Sequence, residues 1–282
     1  MTINKKKVST HLIVLTWNNS NILEKCLESI EKIDKKNLKV TIVDNSSSDN
    51  TTDMLNEKFP QYSLILNSEN LKYGGGYNSA LNKIDFLDDE YVILLNDDTI
   101  VSRDFVNELV SPLLNDQKAI ISVPKILYAS NINKIWYAGG NVDFWKGTIS
   151  HVGIRDFDGP KYSYINETNY ATGCCFCIKY SDFKKLNYFD LTFNMYCEDV
   201  DLSLRAQALS RTIIYNPKSI ILHRVSQSLG EHSFKKNKLK LQSQLKLFWK
   251  HATGFQLLSI SLFWILIHLP YQFIRWLYLR NK

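Results

Sequence analysis

Residues 91–99 have the sequence Tyr91-Val92-Ile93-Leu94-Leu95-Asn96-Asp97-Asp98-Thr99. The apolar residues at its start predict a buried strand, which ends abruptly at a pair of carboxylates. In an open α/β sheet, ligands bind at the carboxyl ends of the strands. Two aspartates and an asparagine at that position predict an oxygen-rich site for Mg²⁺ or Mn²⁺ carrying phosphates. An Asp-rich turn is the simpler alternative.

Strands and helices alternate along the first half of the chain. Apolar runs at residues 11–16, 38–43 and 63–66 predict three further strands. A helix is expected after each of the first two, and the third is followed by a glycine-rich loop at 73–78 and a helix at 79–84. This alternation predicts an α/β fold with a mostly parallel central sheet flanked by helices.

The charge of the chain is unevenly distributed. The net charge is +6, but nine of the 34 Lys and Arg residues follow His232 and no acid does. The rest of the chain therefore has 25 basic against 28 acidic residues. We expect a domain over residues 1–232 and a basic helical tail over residues 233–282, whose partner is an anionic surface, either membrane or nucleic acid.

The second half of the domain is less regular in sequence. Residues 125–170 form short, aromatic, glycine-punctuated pieces, which predict loops that carry Trp136 and Trp145 as a binding wall or as packing. A strand is expected at 172–180, and a helix begins near Glu198 with acids in its first turn, where the helix dipole favours negative charge. Two short strands, 212–215 and 220–222, precede His223.

The five cysteines do not indicate a metal or redox site. The pair Cys174 and Cys177 has the C-x-x-C spacing, but no second pair or nearby histidine completes a zinc site. The odd number of cysteines and the expected lack of a signal peptide favour reduced thiols in the cytosol.

Four polar clusters follow four separate elements, and three of these elements are strands, so those three clusters should meet at the carboxyl edge of the sheet. The clusters lie in the segments IVDNSSSD (42–49), NLKYGGGYN (70–78), LNDDT (95–99) and CEDVDLSLR (197–205). In this order the segments resemble the family 2 glycosyltransferases, and within them the rhamnosyltransferase-like enzymes of bacterial polysaccharide assembly. The resemblance covers about residues 10–226. It implies a GT-A fold with a nucleotide-sugar half (about 8–125) and an acceptor half (about 126–232).

The resemblance implies donor-binding roles for the first two clusters. Asp44 would contact the nucleobase or ribose, and Asp49 would support the same loop. Gly75 and Gly76 would let the backbone approach the donor, and Asn78 would orient it. A helix cap for Asp49 and a helix-entry turn for the glycines are the alternatives.

The third cluster occupies the place of the family's D-x-D motif. Asn96 and Asp97 would line the donor site, and Asp98 would bind Mg²⁺ or Mn²⁺ between itself and the donor phosphates. His223 would complete the metal site, as a histidine does in some relatives. A structural role is the alternative for this histidine.

The fourth cluster matches the family's E-D pair. Asp199, with Glu198 beside it, would take the proton from the acceptor hydroxyl as that oxygen attacks the anomeric carbon. Asp201 is a competing candidate for the base, or it binds Arg205 one helical turn later. Trp136 and Trp145 would contribute to the acceptor side.

The sequence of the tail predicts contact with a membrane. Residues 251–274 contain no Asp, Glu, Lys or Arg, and this uncharged segment is long enough for a membrane span. Polar residues on one side and basic residues at both ends favour amphipathic helices lying on the membrane, broken at Pro270. A true span and an oligomer interface, as in a homodimer, are the alternatives.

Residues 272–276 spell Q-x-x-R-W, a hallmark of processive synthases. They lie too far after Asp199 in the sequence, so we interpret the match as coincidence.

We therefore expect an inverting, metal-dependent glycosyltransferase on the cytoplasmic face of the bacterial membrane. It would move one sugar, with rhamnose from dTDP-rhamnose as the lead, to a lipid-linked oligosaccharide. A UDP-hexose or UDP-galactofuranose donor and a non-catalytic glycan- or nucleotide-binding protein are the alternatives. The uncharged apolar segment suits lipid better than a nucleic acid, so no nucleic-acid partner is expected.

Overall fold

The computed structural model describes residues 8–33, 37–225 and 234–270. Twelve strands are present in this part of the chain: β1 Thr10–Thr16, β2 Leu38–Asp44, β3 Ser63–Leu66, β4 Tyr91–Asn96, β5 Thr99–Val101, β6 Ala119–Tyr128, β7 Asn131–Tyr137, β8 Gly140–Asp143, β9 Thr148–His151, β10 Asn166–Glu167, β11 Cys175–Lys179 and β12 Thr212–His223. Eight α-helices accompany them: α1 Ser20–Ile30, α2 Thr51–Lys58, α3 Lys72–Lys83, α4 Phe105–Asn115, α5 Tyr180–Lys185, α6 Glu198–Ala208, α7 Phe234–His251 and α8 Gly254–Phe263.

Most strands form one mixed sheet with the order β10-β12-β6-β11-β4-β1-β2-β3. The four strands β3, β2, β1 and β4 are all parallel, which confirms the prediction for the first half of the chain. The other half is mixed, because β11 runs antiparallel to both β4 and β6, whereas β6 and β12 are parallel. The boundary expected between the nucleotide-sugar half and the acceptor half, at residues 125 and 126, lies inside β6. The sheet is therefore continuous across this boundary.

The central strands β1 and β4 are buried because they are long apolar runs. Residues 12–14 and 92–95 have no exposed surface or nearly none, and α1 covers them with Leu23, Leu27 and Ile30. Burial of this kind stabilises by about 1.5–3 kcal/mol for each large apolar side chain. The sheet is therefore a rigid base for the loops at its carboxyl edge.

The prediction of loops over residues 125–170 was wrong. β6 continues to Tyr128 and pairs with β7, and β8 and β9 form a separate hairpin. The two short strands expected before His223 are one strand, β12, with an irregularity between Asn216 and Ile220. β6–β7 and β8–β9 are hairpins between consecutive strands, whereas β12 pairs with β6 and β10, which are distant in sequence. The short, irregular sequence of these strands gives no clear alternation of apolar and polar residues.

The tail begins with helix α7, which contacts the domain through the buried side chains Leu247 and Phe248. A break follows α7, and α8 begins after Thr253, whose hydroxyl caps the new helix in a capping box with Gln256. The break thus lies before α8, earlier than the expected break at Pro270. No helix within the described ranges is both long enough and apolar enough to cross a bilayer. The Q-x-x-R-W residues 272–276 lie outside the described residues.

Candidate active site

The parallel strands bring the first polar clusters together at one edge of the sheet. Thr16 pairs with Asp44 across β1 and β2, and Leu15 pairs with Asn96 across β1 and β4. Asp97 and Asp98 follow Asn96 directly, so they leave the sheet at the same edge. This register confirms that the clusters after β2 and β4 share the carboxyl edge.

Asp97 is held by the end of the neighbouring strand. The Thr16 hydroxyl donates to its Oδ2 at 2.6 Å. Burial raises the pKa of Asp97 to about 7, the hydrogen bond from Thr16 opposes the rise, and the charge of Asp98 adds to it. Thr16 was not among the predicted site residues, although its position at the end of a strand is a signal for it. Asp97 therefore supports the edge of the sheet and does not point freely toward a ligand.

Asp98 and His223 form the expected pair. The imidazole Nε2 of His223 lies 3.2 Å from Asp98 Oδ2, because β12 pairs antiparallel with β5 and places His223 opposite Thr99. Two atoms of this pair are buried without a hydrogen-bond partner in the described structure: Asp98 Oδ1 and His223 Nδ1. Unpaired buried polar atoms are costly, so such atoms indicate a missing ligand.

The donor set at Asp98 and His223 fits Mg²⁺ or Mn²⁺ in part. One carboxylate and one imidazole are suitable ligands for Mn²⁺. No cluster of three or more His, Cys, Asp or Glu side chains that could hold a metal is present among the described residues. A bound cation would thus need further oxygen ligands, which donor phosphates would provide.

Asp44 and Asp49 order the loop after β2. The carboxylate of Asp44 is buried and accepts hydrogen bonds from the amide and hydroxyl of Ser47. Asp49 accepts from the backbone amides of Ser20 at 3.2 Å and Thr51 at 3.1 Å. It therefore caps the starts of α1 and α2, which agrees with the helix-cap alternative. Asp49 thus supports the loop as expected, but its carboxylate binds the backbone amides at the starts of two helices.

The prediction of a glycine-rich loop at residues 73–78 was wrong. These residues lie inside α3, which begins at Lys72. A Cβ at Gly76 would lie 2.5 Å from Leu15 Cδ1 and 3.0 Å from the Asn45 side chain. Gly76 thus allows the helix to approach the sheet closely, whereas a Cβ at Gly75 would meet only Leu71 Cβ, at 3.0 Å. Close packing against the sheet accounts for Gly76, and the donor-binding role of Gly75 remains a prediction.

Asn78 is on α3 as well, and its amide makes two hydrogen bonds to the backbone of Phe189. Its Nδ2 donates to the carbonyl of Phe189 at 2.9 Å, and its Oδ1 accepts from the amide of Phe189 at 3.1 Å. These two hydrogen bonds give Asn78 a structural role, and its role in orienting the donor remains a prediction. The side chain instead fixes the segment that leads toward α6.

Glu198 and Asp199 begin α6 and differ in their hydrogen bonds. Asp199 Oδ2 accepts from the amide of Gly173 at 2.7 Å, and Oδ1 accepts from the amide of Val200 at 2.8 Å. Glu198 is 6% exposed, and its Oε2 has no hydrogen-bond partner in the described structure. Burial raises the pKa of Glu198 to about 8, and the charge of Asp199 adds to the rise. Burial raises the pKa of Asp199 as well, while the amide of Gly173 opposes the rise.

The proton of this acidic pair therefore belongs on Glu198. Backbone N–H donors stabilise the charged form of Asp199, and no donor stabilises a charge on Glu198 Oε2. Asp199 is left as a carboxylate that can accept a proton.

Asp199 is connected through the residues before β11 to the strand end that carries Asp98. The amide of Asn96 donates to the carbonyl of Cys174 at 3.0 Å, and the preceding residue, Gly173, donates to Asp199. Tyr73 of α3 donates to the carbonyl of Gly173 at 2.6 Å. Asn96 and Asp199 therefore bind adjacent residues, Cys174 and Gly173, and lie along one rim of the site. Asp97 and Asp98 follow Asn96 on this rim. The sequence did not reveal Tyr73 or Gly173 as parts of the site.

Asp201 does not compete for the role of base. Its side chain has no exposed surface and binds Arg205 Nε at 2.8 Å, as the second alternative predicted. It also accepts from His251 at 2.7 Å and Lys250 at 2.6 Å, both on α7. Arg205 donates in addition to the carbonyls of Leu186 and Tyr188.

The two predicted tryptophans lie in different places. Trp136 is on β7 and packs with its ring centroid 4.4 Å from those of both His223 and His151. Burial lowers the pKa of His151 to about 4, so this histidine is neutral at pH 7. Trp145 is at the tip of the β8–β9 hairpin, where its carbonyl accepts from Ser259 of α8 at 2.9 Å. Trp136 is thus a wall of the site, whereas Trp145 belongs to the contact with the tail.

Comparison with known proteins agrees with this geometry. Residues 11–186 match the model of the family described as glycosyl transferase family 2. Rhamnosyltransferase WbbL of Escherichia coli (strain K12) is 24% identical over 227 residues, which are 76% of this chain and 82% of that protein. N-acetylglucosaminyl-diphospho-decaprenol L-rhamnosyltransferase of Mycobacterium tuberculosis is 21% identical over 247 residues, which are 78% of this chain and 77% of that protein.

A solved structure of similar fold is GalNAc-T7 with UDP, GalNAc and Mn²⁺. It has a TM-score of 0.68 and 16% identity, and the match covers 86% of this chain. The chain spans about half the length of that protein, 48%. The likeness shows the GT-A fold. With the family match over residues 11–186, it follows that this chain is a glycosyltransferase and belongs to glycosyl transferase family 2.

Proposed function

We propose that this enzyme transfers a single sugar, with inversion, from a nucleotide donor to a hydroxyl group of a lipid-linked glycan. The observation that carries the proposal is the rim that joins Asn96, Cys174, Gly173 and Asp199. It brings a carboxylate with a stabilised charge next to the strand end that carries Asp98. A base on one side of a sugar and a bound leaving group on the other is the arrangement that inversion requires.

Asp98 and His223 are the residues that would hold Mg²⁺ or Mn²⁺. When bound there, the cation supplies Lewis acidity that neutralises the departing nucleoside diphosphate. Asp98 Oδ1 offers the free carboxylate oxygen for this role. Trp136 packs against His223 and limits its rotation, so the imidazole keeps its place beside Asp98.

Asp199 would act as the general base. The acceptor oxygen forms a bond to the anomeric carbon, the bond from that carbon to the donor phosphate oxygen breaks, and the acceptor proton passes to Asp199. The two amides on Asp199 orient its carboxylate, and the protonated Glu198 beside it avoids a second negative charge. General-base catalysis of this kind contributes about 10²–10⁴-fold to the rate.

Rhamnose from dTDP-rhamnose is the leading donor, and a prenyl-diphosphate-linked glycan is the leading acceptor. The support is that two relatives are named rhamnosyltransferases and that the name of one includes a diphospho-decaprenol carrier. UDP-hexoses and UDP-galactofuranose are the alternative donors.

The tail would hold the enzyme on the cytoplasmic leaflet of the membrane. The support is an apolar surface on and beside α8, where Phe255 is 83% exposed and Trp249 is 78% exposed. Leu258, Leu262, Ile265 and Leu266 extend this surface. The lysines of α7 add positive charge that suits anionic lipid. A lipid-linked acceptor would then be presented at the same surface.

The test is a donor panel with purified full-length protein. Thermal shift is measured with dTDP-rhamnose, UDP-glucose, UDP-galactose and UDP-galactofuranose, each with Mg²⁺, Mn²⁺ or a chelator. The stabilising donor is then incubated with a synthetic prenyl-diphosphate-linked glycan, and the product is identified by mass spectrometry and by the anomeric configuration. We expect metal-dependent stabilisation by one donor and an inverted product. Retention of configuration, or the lack of transfer from every donor, would contradict the proposal.

A further inference from the structure

Helix α7 is bound to the segment that leads into α6, the helix that begins with Glu198 and Asp199. The hydroxyl of Ser243 donates to the carbonyl of Met195 at 2.7 Å. Lys250 Nζ lies 2.8 Å from Asp190 and 2.6 Å from Asp201. Further contacts include Lys246 to the carbonyl of Thr192 at 2.6 Å, and His251 to Asp201 at 2.7 Å.

The segment between these contacts has an unfavourable backbone conformation. Tyr196 and Cys197 have φ angles of 70° and 68°, which are uncommon for residues with a side chain. A residue with a side chain adopts this conformation at a cost in free energy and keeps it only where the surroundings hold it. Cys197 is also the residue before α6, so this turn sets where Glu198 and Asp199 point.

The contacts from α7 lie on both sides of this strained pair. Met195 precedes it and is held by Ser243, whereas Asp201 follows it and is held by Lys250 and His251. Asp201 has no exposed surface, so charged hydrogen bonds at this position are stronger than on the surface. Burial alone would raise the pKa of Asp201, but the hydrogen bonds from His251 and Lys250 outweigh it and lower the pKa. The carboxylate therefore stays charged and bound to the tail.

We propose that Lys250 and His251 are positioning residues for the transfer reaction, which hold the Tyr196–Cys197 turn and thereby the carboxylate of Asp199. This inference rests on the proposed function, because it assumes that Asp199 is the base. Lys250 and His251 contact Asp201 and act through α6; they do not contact the reacting atoms. The tail is then part of the catalytic apparatus as well as a candidate membrane contact.

The test uses the full chain with the double variant Lys250→Met/His251→Gln and the control Gln242→Met, at an exposed position of the same helix. We expect kcat for transfer to fall at least tenfold in the double variant, with the KM for the donor within twofold of wild type. Lys250→Arg, which retains the charge, should recover most of kcat relative to Lys250→Met. Unchanged kcat in the double variant, or an equal loss in Gln242→Met, would overturn the proposal.

Hydrogen exchange provides a second measurement that needs no substrate. Amides of residues 190–199 should exchange at least fivefold faster in the double variant, whereas those of the central strand β4 should not change. If the double variant does not fold by circular dichroism, the single variant His251→Gln carries both measurements. Equal exchange in wild type and variant would refute the positioning role. Failure of the wild type to transfer any sugar would refute the proposed function and leave the exchange result to decide the positioning of the turn.

Discussion

His223 Nε2 lies 3.2 Å from Asp98 Oδ2, although 125 positions separate the two residues in the sequence. The pairing of β5 with β12 sets this distance, since His223 is opposite Thr99 in the register. A buried carboxylate oxygen and a buried imidazole nitrogen of this pair have no partner in the described structure. The pair is thus suited to share a cation with donor phosphates.

Replacement of Asp98 by Ala should remove metal-dependent donor binding. The expected result is at least a tenfold weaker binding of the nucleoside diphosphate in the presence of Mn²⁺, and no change in its absence, because only the metal-bridged part of the affinity depends on this carboxylate. Isothermal titration calorimetry with and without Mn²⁺ measures both. Asp85→Ala, at an exposed position after α3, is the control. Metal-dependent binding that survives in Asp98→Ala would contradict the assignment.

Replacement of Asp199 by Asn should abolish transfer while nucleotide binding remains. The amide keeps the size of the side chain but cannot accept a proton, so kcat should fall by about 10²–10⁴-fold. Glu198→Gln is the matched control, because a neutral side chain at this position mimics the protonated acid and should retain activity. Initial rates and nucleotide affinity are measured for both variants. The roles of the two acids are reversed if Glu198→Gln is inactive and Asp199→Asn turns over.

The raised pKa of Glu198 should make the stability fall as the pH rises. The unfolded chain loses this proton near the ordinary value of 4.5, whereas the folded protein keeps it up to about 8. Unfolding therefore releases a proton between these values, and the free energy of unfolding should decrease by at most about 1.4 kcal/mol per pH unit.

Urea unfolding of wild type and Glu198→Gln from pH 5 to 8.5 measures this slope. The variant should have a smaller slope, because it cannot titrate at residue 198. Some slope should remain, because the pKa of Asp97, about 7, is raised in the same direction. Identical slopes in the two proteins would show that Glu198 is ionised in the folded state.

The parallel half of the sheet and its polar edge could be predicted from the sequence. β2 and β4 are apolar runs that end at the polar residues Asp44 and Asn96, so local sequence contains both the strand and the edge. The pairing of parallel strands then places Asp44 and Asp98 on one side without further information.

The remaining features depend on contacts between distant residues. The three glycines of α3 have low helix propensity, and the helix forms because Gly76 packs closely against Leu15 and Asn45. Asp201 and His251 are 50 positions apart, so no spacing rule could reveal that the tail binds α6.

Substitution of Gly76 by Ala should destabilise the protein, whereas Gly75→Ala should be nearly neutral. Alanine normally stabilises a helix relative to glycine by about 1 kcal/mol. At Gly76 the new Cβ would be 2.5 Å from Leu15 Cδ1, and overpacking of this kind costs about 1–3 kcal/mol. At Gly75 the nearest atom is Leu71 Cβ at 3.0 Å, and Leu71 lies at the exposed start of the helix. Thermal unfolding of both variants compares them; equal melting temperatures would argue against close packing at Gly76.

Removal of apolar side chains from the surface on and beside α8 should weaken membrane binding. Phe255 and Leu266 are 83% and 68% exposed, and burial of each in lipid would contribute about 1.5–3 kcal/mol. The variant Phe255→Glu/Leu266→Glu should therefore bind vesicles at least tenfold more weakly, as measured by flotation with phosphatidylglycerol vesicles. Leu87→Glu, at an exposed position outside the tail, is the control.

The charge of the lipid separates the two parts of this interaction. If the lysines of α7 contribute, wild type should float with phosphatidylglycerol vesicles at low salt and less well with phosphatidylcholine vesicles or at high salt, because salt screens exposed charges. Apolar contact alone would give flotation that is independent of salt and lipid charge. A protein that does not float but elutes as a dimer, which Phe255→Glu/Leu266→Glu converts to a monomer, would show that α8 is an interface between two copies of the chain. That result would refute membrane attachment through α8 and leave the assignments at Asp98 and Asp199 unchanged, since neither residue contacts this surface.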